Sequence, residues 1–205
     1  KEVWDYNIAI AKDALERGFD ELNFDYIRFP TDGDMSSMHF SGLPKGKPKK
    51  EALAEFFRYL RQSLPGARIS ADIFGLVAIQ RKDIGVGQIL EDIYDNFDYV
   101  CPMVYPSHYY SGTLGFKNPA RHPYEIVKYS LDMAFKRLME FEKSNSGSKD
   151  DSRVRPWLQD FDLGADYDVH MVKAQIKAVR DSLGDRYNGF MMWNPSNRYT
   201  KEALQ

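Results

Sequence analysis

Hydrophobic residues follow two alternating patterns along this chain. Trp4, Ile8, Ala11 and Leu15 repeat at the spacing of one helix face, and the aromatic-rich segment 21–29 that follows has the composition of a strand. The same alternation continues to the end of the sequence. Further helices are predicted around residues 53–64, 89–97, 126–141 and 169–183, and further strands at 68–74, 98–105, 154–161 and 188–193.

The segments between these elements are polar and rich in glycine and proline. Residues 31–50 and 106–123 are predicted to be long loops, and residues 143–152 (KSNSGSKDDS) a flexible polar segment.

Strict alternation of strands and helices predicts a parallel sheet with right-handed crossover connections. A doubly wound sheet would place a glycine-rich phosphate turn directly after its first strand. The corresponding residues, 28–33, read Arg-Phe-Pro-Thr-Asp-Gly, and the fragment at 85–87 (Gly-Val-Gly) lies far from the preceding strand. We therefore expect an α/β fold of the parallel (β/α), TIM-barrel type, with residues 1–205 forming a single, partial barrel domain.

Composition narrows the classes of function. The chain is 43% hydrophobic and 28% charged with a formal net charge of -2, which is typical of globular proteins and argues against nucleic acid as a partner. No apolar run approaches the roughly 20 residues that span a bilayer. Cys101 is the single cysteine and lies in an apolar run, so we expect a buried thiol and no disulfide.

The four histidines show no metal-ligand spacing. No two of them stand at i and i+4, and none has a carboxylate at ligand spacing. We predict neither a metal site nor a cofactor.

Two aspartates interrupt the apolar strands, although aspartate is a poor strand former. Asp25 lies in the first predicted strand and Asp72 in the next. Hydrolysis of a glycosidic bond needs two carboxyl groups, one acting as acid and the other as nucleophile or base. Neighbouring strands lie about 4.8 Å apart, a spacing compatible with the roughly 5–5.5 Å between carboxyls of retaining enzymes. In the structural alternative, each aspartate pairs with an arginine such as Arg28 or caps a turn.

Other polar and aromatic residues gather where strands end, the edge at which barrel enzymes bind substrate. Aromatic faces there suit sugar rings, although Trp157 and Trp193 could equally fill the core. Asp160 could simply begin the loop before the next helix. Tyr26 has the opposite parity to Asp25 and is predicted to pack under a helix. The predicted substrate-binding residues are Arg28, Tyr105, His108, Trp157, Gln159, Asp160, Trp193 and Asn194.

Several segments resemble a known family. The segments 4–30, 69–75, 103–109, 156–161 and 189–194 are similar to bacterial glycoside-hydrolase-like barrels long catalogued as a domain of unknown function. The block Phe-Asp-Tyr-Ile-Arg-Phe-Pro at 24–30 is the most specific, and the resemblance extends over essentially the whole chain. It implies a carbohydrate substrate and favours a location outside the cytoplasm or in the cell envelope.

That family is distantly similar to the alpha-amylase and alpha-galactosidase barrels. The likeness implies that Asp25 is the nucleophile ending a fourth strand and that Asp72 is the acid/base on the next. The alpha-amylase group has glutamate at this second position, so the shorter Asp72 is a departure. A complete barrel takes about 250 residues. The likeness therefore also implies three preceding βα units, without which open sheet edges would favour self-association.

Three functions follow from these expectations. The favoured hypothesis is a retaining glycoside hydrolase that acts on a poly- or oligosaccharide through Asp25 and Asp72. The alternative, suggested by the departure at Asp72, is a carbohydrate-binding barrel without catalysis. A hydrolase of another class is the weakest, because the sequence has no Gly-x-Ser-x-Gly elbow.

Overall fold

The computed structural model describes residues 1–145 and 153–205. The predicted flexible segment therefore lies largely outside the described residues, at 146–152, and its first residues belong to a helix. The helices are α1 (Glu2–Glu16), α2 (Lys49–Ser63), α3 (Gly75–Ile79), α4 (Leu90–Asn96), α5 (Pro123–Ser144) and α6 (Val169–Leu183). The strands are β1 (Leu22–Phe24), β2 (Ile69–Phe74), β3 (Tyr99–Met103), β4 (Trp157–Gln159) and β5 (Met191–Trp193).

The five strands follow one another in the order β1-β2-β3-β4-β5. The pairs β1–β2, β3–β4 and β4–β5 are parallel. This sequential order lacks the reversal of strand order that defines a doubly wound sheet. The predicted α/β fold, with the parallel strands of a (β/α)-barrel type, is confirmed.

The observed elements differ from the prediction at most of their ends, and the difference is largest at the end of β1. The first strand was predicted to reach Phe29, but β1 ends at Phe24 and Tyr26 has a left-handed backbone with φ of 56°. A residue in that conformation cannot continue an extended strand. The short helix α3 was not predicted, because five residues are too few to show helical periodicity.

The contacts divide the chain into two compact units. The first comprises Lys1–Ile73 and Gln80–Val100, and the second comprises Phe74–Ile79 and Cys101–Gln205. The core of the first unit is aliphatic and aromatic, and α2 and β2 supply much of it. Its fully buried side chains include Phe57, Leu60, Ile69, Ile73, Leu90 and Ile93.

The core of the second unit lies largely along α5 and α6. Ile126, Leu131 and Leu138 of α5 are buried, as are Val172 and Val179 of α6. The thiol of Cys101 in β3 is fully buried, as expected from its apolar run.

A buried arginine ties α5 to α3 within the second unit. Arg137 is fully buried, and its Nη1 donates to the backbone oxygens of Val77 at 2.7 Å and Ala78 at 3.2 Å. A helix ends with unsatisfied carbonyl groups that favour a nearby cation. The guanidinium therefore satisfies the end of α3.

The start of α3 is equally constrained. A Cβ atom on Gly75 would overlap the Tyr109 hydroxyl and lie 2.6 Å from the Met103 carbonyl oxygen. That hydroxyl is buried and hydrogen-bonds the Ser130 Oγ at 2.8 Å, and burial raises the pKa of Tyr109. Only glycine fits this position without displacing the backbone.

Candidate functional site

In the first unit, the register of β1 and β2 places side by side two residues that precede the aspartates by two positions. Asn23 pairs with Ser70, and the Ser70 Oγ donates to the Asn23 Oδ1 at 3.2 Å, so both side chains lie on the same side. Asp72 follows Ser70 within β2, where side chains alternate, and therefore lies on that side, whereas Asp25 is the first residue after β1. Asp25 is exposed, whereas Asp72 is 5% exposed.

A tight turn directly after β1 holds the Asp25 carboxylate. The Tyr26 N–H donates to the Asp25 Oδ1 at 2.7 Å, and the Arg28 N–H donates to the Tyr26 carbonyl at 2.8 Å. The turn requires the positive φ of Tyr26, a conformation that non-glycine residues rarely adopt and that clusters at functional sites.

The ring of Tyr26 is 75% exposed, so the prediction that it packs under a helix is wrong. The positive φ turns the chain away from the strand, and strand parity no longer applies at this residue. The half-buried Arg28 places its Cζ 4.5 Å from the centre of the Tyr26 ring. The turn thus carries a cation and an aromatic ring directly after the Asp25 carboxylate.

A buried glutamine joins the segments that follow Asp25 and contain Asp72. Gln88 is 2% exposed, and its Nε2 donates to the backbone oxygens of Ile27 at 3.3 Å and Asp72 at 3.1 Å. Nothing in the local sequence marks this residue, since its two partners lie 61 and 16 positions away.

In the second unit, Gln159 at the end of β4 is fully buried. Its Oε1 accepts from the Ser107 N–H at 3.1 Å and the Ser107 Oγ at 2.9 Å, and its Nε2 donates to the Phe161 carbonyl at 2.9 Å. Gln175 of α6 accepts from the Gln159 N–H at 3.0 Å and donates to its carbonyl at 2.7 Å. Gln159 therefore joins the loop after β3, its own strand and α6.

Asp160, the next residue, is 3% exposed and binds the segment near the C-terminus. Its Oδ1 accepts from the Thr200 Oγ1 and its Oδ2 from the Thr200 N–H, both at 2.7 Å. Asn194 donates to the Asp160 and Arg198 carbonyls and accepts from the Ser196 N–H. These contacts give both predicted ligand-binding residues a structural role in the fold.

Tyr105 and His108 belong to an aromatic cluster with Phe161. The ring centres of Tyr105 lie 5.3 Å from His108 and 5.7 Å from Phe161, both edge to face. Ser107 Oγ lies 3.0 Å from the His108 Nδ1. Burial lowers the pKa of His108, so its ring is neutral at pH 7 and can both donate and accept a hydrogen bond.

The two predicted tryptophans lie on neighbouring strands, with Trp157 paired to Met191 and Gln159 paired to Trp193. Their ring centres are 6.3 Å apart and their planes are nearly perpendicular at 89°. Trp157 is half-buried, whereas Trp193 is 44% exposed and presents an indole surface to solvent. An exposed indole has the size and partly apolar character that suit a sugar ring.

Two further findings concern metal sites and membrane-spanning helices. Among residues 1–145 and 153–205, no three histidine, cysteine or acidic side chains are grouped so that they could hold a metal ion. Over the same residues, no helix is long and apolar enough to cross a membrane.

The chain also matches known proteins. A family model described as "Putative glycosyl hydrolase domain" matches residues 1–199, which confirms the resemblance identified in the sequence. The curated proteins include none that matches.

Two solved structures are similar. The spore cortex-lytic enzyme SleL of Bacillus megaterium has a TM-score of 0.61 at 13% identity over 99% of this chain and 52% of its own. The PgaB (BpsB) glycoside hydrolase domain of Bordetella bronchiseptica has a TM-score of 0.46 at 16% identity over 71% of this chain and 37% of its own. The chain thus spans about half of SleL, and at this identity the likeness concerns the fold.

Proposed function

From the premise that this chain belongs to the family described as "Putative glycosyl hydrolase domain", we propose that it hydrolyses a poly- or oligosaccharide with two carboxyl groups, Asp25 and Asp72. The observation that supports this most directly is the pairing of Asn23 with Ser70, since Asp25 and Asp72 each follow two residues after a member of this pair. Strand spacing of about 4.8 Å suits the closer separation that retaining enzymes use.

In the proposed reaction, Asp25 is the nucleophile. Its carboxylate attacks the anomeric carbon while Asp72 donates its proton to the leaving glycosidic oxygen, which gives a glycosyl ester and one released sugar. Asp72 then removes a proton from water, the resulting hydroxide attacks the anomeric carbon, and Asp25 leaves as carboxylate. The Tyr26 N–H, fixed on the Asp25 Oδ1, stabilises that carboxylate before attack and after release.

Within the second unit, aromatic side chains are proposed to bind carbohydrate. Trp193 offers an exposed indole for stacking, and the exposed His108 offers a ring edge and hydrogen-bonding groups, with the buried Tyr105 packed against it. Arg28 is proposed to bind a polar or acidic group of the substrate. Gln159, Asp160 and Asn194 are proposed to act on substrate only through the backbone that they hold, because their side chains already bind other parts of the protein.

The substitution Asp25→Asn tests the proposal. The variant should fold normally and lose hydrolysis, and Asp72→Asn should slow hydrolysis by about 10²–10⁴-fold, the usual contribution of a general acid. Asp20→Asn, which alters another exposed aspartate near β1, is the control and should remain fully active. The assay measures reducing ends released from a polysaccharide panel that includes spore cortex, the material named for SleL.

Two outcomes would count against the assignment. Full activity in Asp25→Asn would remove it as nucleophile. A product whose anomeric configuration is inverted, seen by proton NMR immediately after cleavage, would replace the retaining mechanism with an inverting one.

The second candidate function is sugar binding without cleavage. The exposed Trp193 beside Trp157 favours it, because a stacking surface serves binding equally well. A glycan array separates the two functions. Hits that remain intact after prolonged incubation, and that are lost in Trp193→Ala, would support the binding function over the hydrolase.

A further inference from the structure

The two proposed catalytic residues lie one position beyond the last residues that pair β1 with β2. The register of β1 and β2 runs from Leu22 with Ile69 to Phe24 with Ala71. Asp25 is the first residue after β1, whereas Asp72 lies within β2, which continues to Phe74. At Tyr26 the backbone is left-handed. The β1–β2 pairing therefore ends before the two carboxyl groups, and their separation depends also on contacts beyond it.

The side chain of Gln88 supplies hydrogen bonds beyond the end of this strand pairing. One side-chain amide donates to the carbonyl of Ile27, two residues after Asp25, and to the carbonyl of Asp72 itself. A primary amide has two N–H groups in one rigid plane. The two carbonyls, and the segments that carry them, are therefore held at a set distance from each other.

The loop that carries Gln88 is itself fixed. The Asp83 Oδ1 accepts from the N–H groups of Gly85 at 2.9 Å and Gly87 at 2.7 Å. The Phe29 N–H donates to the Val86 carbonyl at 2.8 Å, which joins the loop to the segment after Asp25 a second time. The side chain of Gln88 thus extends from a preorganised loop, which retains little conformational freedom.

The fit around Gly87 shows how closely this loop is packed. Gly87 has φ of 81°, and a Cβ there would lie 2.9 Å from a Leu53 methyl group, 3.0 Å from the Phe29 ring and 3.1 Å from the Lys49 carbonyl oxygen. A glycine at this position lets the loop approach α2 and the segment after β1 together.

We propose that Gln88 is a positioning residue for the catalytic pair, and that its amide sets the separation of the Asp25 and Asp72 carboxyl groups. The inference rests on the proposed function, since the pair has a chemical purpose only there. Gln88 does not contact substrate. It acts through the backbone of the segments that carry the two carboxyls.

Gln88→Met tests this role, because methionine keeps the length of the side chain and removes both donors. The matched control is Gln175→Met, in which another buried glutamine loses its hydrogen bonds to the backbone of Gln159. Crystal structures of the wild type and of both variants give the distance between the Asp25 and Asp72 carboxyl carbons.

We expect the wild-type distance to be about 5–5.5 Å, the value that retaining enzymes use. It should increase in Gln88→Met and remain unchanged in Gln175→Met, although both variants melt at lower temperature. Where hydrolysis is measurable, kcat should fall in Gln88→Met while KM changes little.

The wild-type distance in Gln88→Met, or a wild-type distance above about 9.5 Å, would overturn the proposal. If Gln88→Met does not fold, Gln88→Asn decides instead, because its amide is one methylene too short to reach both carbonyls. A longer distance there supports the role, and the wild-type distance overturns it. The structures need no turnover, so a longer distance in variants of a protein that cleaves no glycan would count against hydrolysis and leave the positioning of the two carboxyls intact.

Discussion

Asp160 is a buried carboxylate whose two oxygens both bind Thr200. Replacing it with alanine leaves the Thr200 N–H without this acceptor and frees the segment near the C-terminus. Hydrogen bonds to charged groups contribute about 1.5–3 kcal/mol each, and Thr200 is partly exposed, so we expect Asp160→Ala to lower the free energy of unfolding by about 2–4 kcal/mol. Urea unfolding measures the loss.

Thr200→Val provides the comparison for this prediction. It removes only the hydroxyl donor and should cost about 1–2 kcal/mol, roughly half of the larger effect. An Asp160→Ala protein that unfolds like the wild type but no longer binds glycan would instead make Asp160 a ligand-binding residue.

The sequence identifies polar residues at strand ends more readily than it identifies their roles. The pattern found Gln159, Asp160 and Asn194, but their partners include Ser107 and Thr200, which lie 52 and 40 positions away from Gln159 and Asp160. Distant pairing of this kind leaves no local signal. Asp25 and Asp72 were predicted as catalytic residues because an acidic residue inside a predicted apolar strand is itself a signal.

At the scale of the elements, the packing of α3 depends on its first residue, Gly75. Gly75→Ala would place a methyl group against the Tyr109 hydroxyl and 2.6 Å from a backbone oxygen of β3, neither of which can move without disturbing the buried Ser130 contact or the strand. Overpacking of this kind costs about 1–3 kcal/mol. We expect a loss of that size in thermal or urea unfolding.

Gly42→Ala is the matched control for that element. Gly42 is exposed and has no atom within 4 Å of the position of its Cβ, so this variant should keep the wild-type stability. Equal stability of the two variants would show that α3 and β3 can separate at no cost.

Element boundaries were the least predictable part of the fold. The helix at Val169–Leu183 was predicted at its observed limits from its apolar periodicity, and in the structure Asp168 caps its N-terminus by accepting from the N–H groups of His170 and Met171. The end of the first strand was predicted five residues too late, because its aromatic composition continues past the turn at Tyr26. The composition of a segment indicates which side chains it can bury, whereas a single residue with a left-handed backbone can end the strand.

At the scale of the whole molecule, the alternation of strand and helix was enough to predict the parallel strands and the fold class. Alternation requires each strand to be followed by a covering helix, and a consecutive strand order is the simplest arrangement that satisfies it. The loop at residues 80–89 could not be predicted in this way. Gln88 and Gly87 act through contacts with residues that the alternation does not relate to them.

Because the thiol of Cys101 is fully buried, its chemical labelling can be used to measure unfolding. The chain has one cysteine, so each molecule can take up a single thiol reagent, and the mass spectrum would show two species separated by one label. Only the thiolate of an accessible cysteine reacts. We expect the native protein to resist labelling, and the labelling rate under rising urea to give the opening rate of β3 without any engineered probe. Rapid labelling in the absence of denaturant would show that this strand opens far more often than its burial implies.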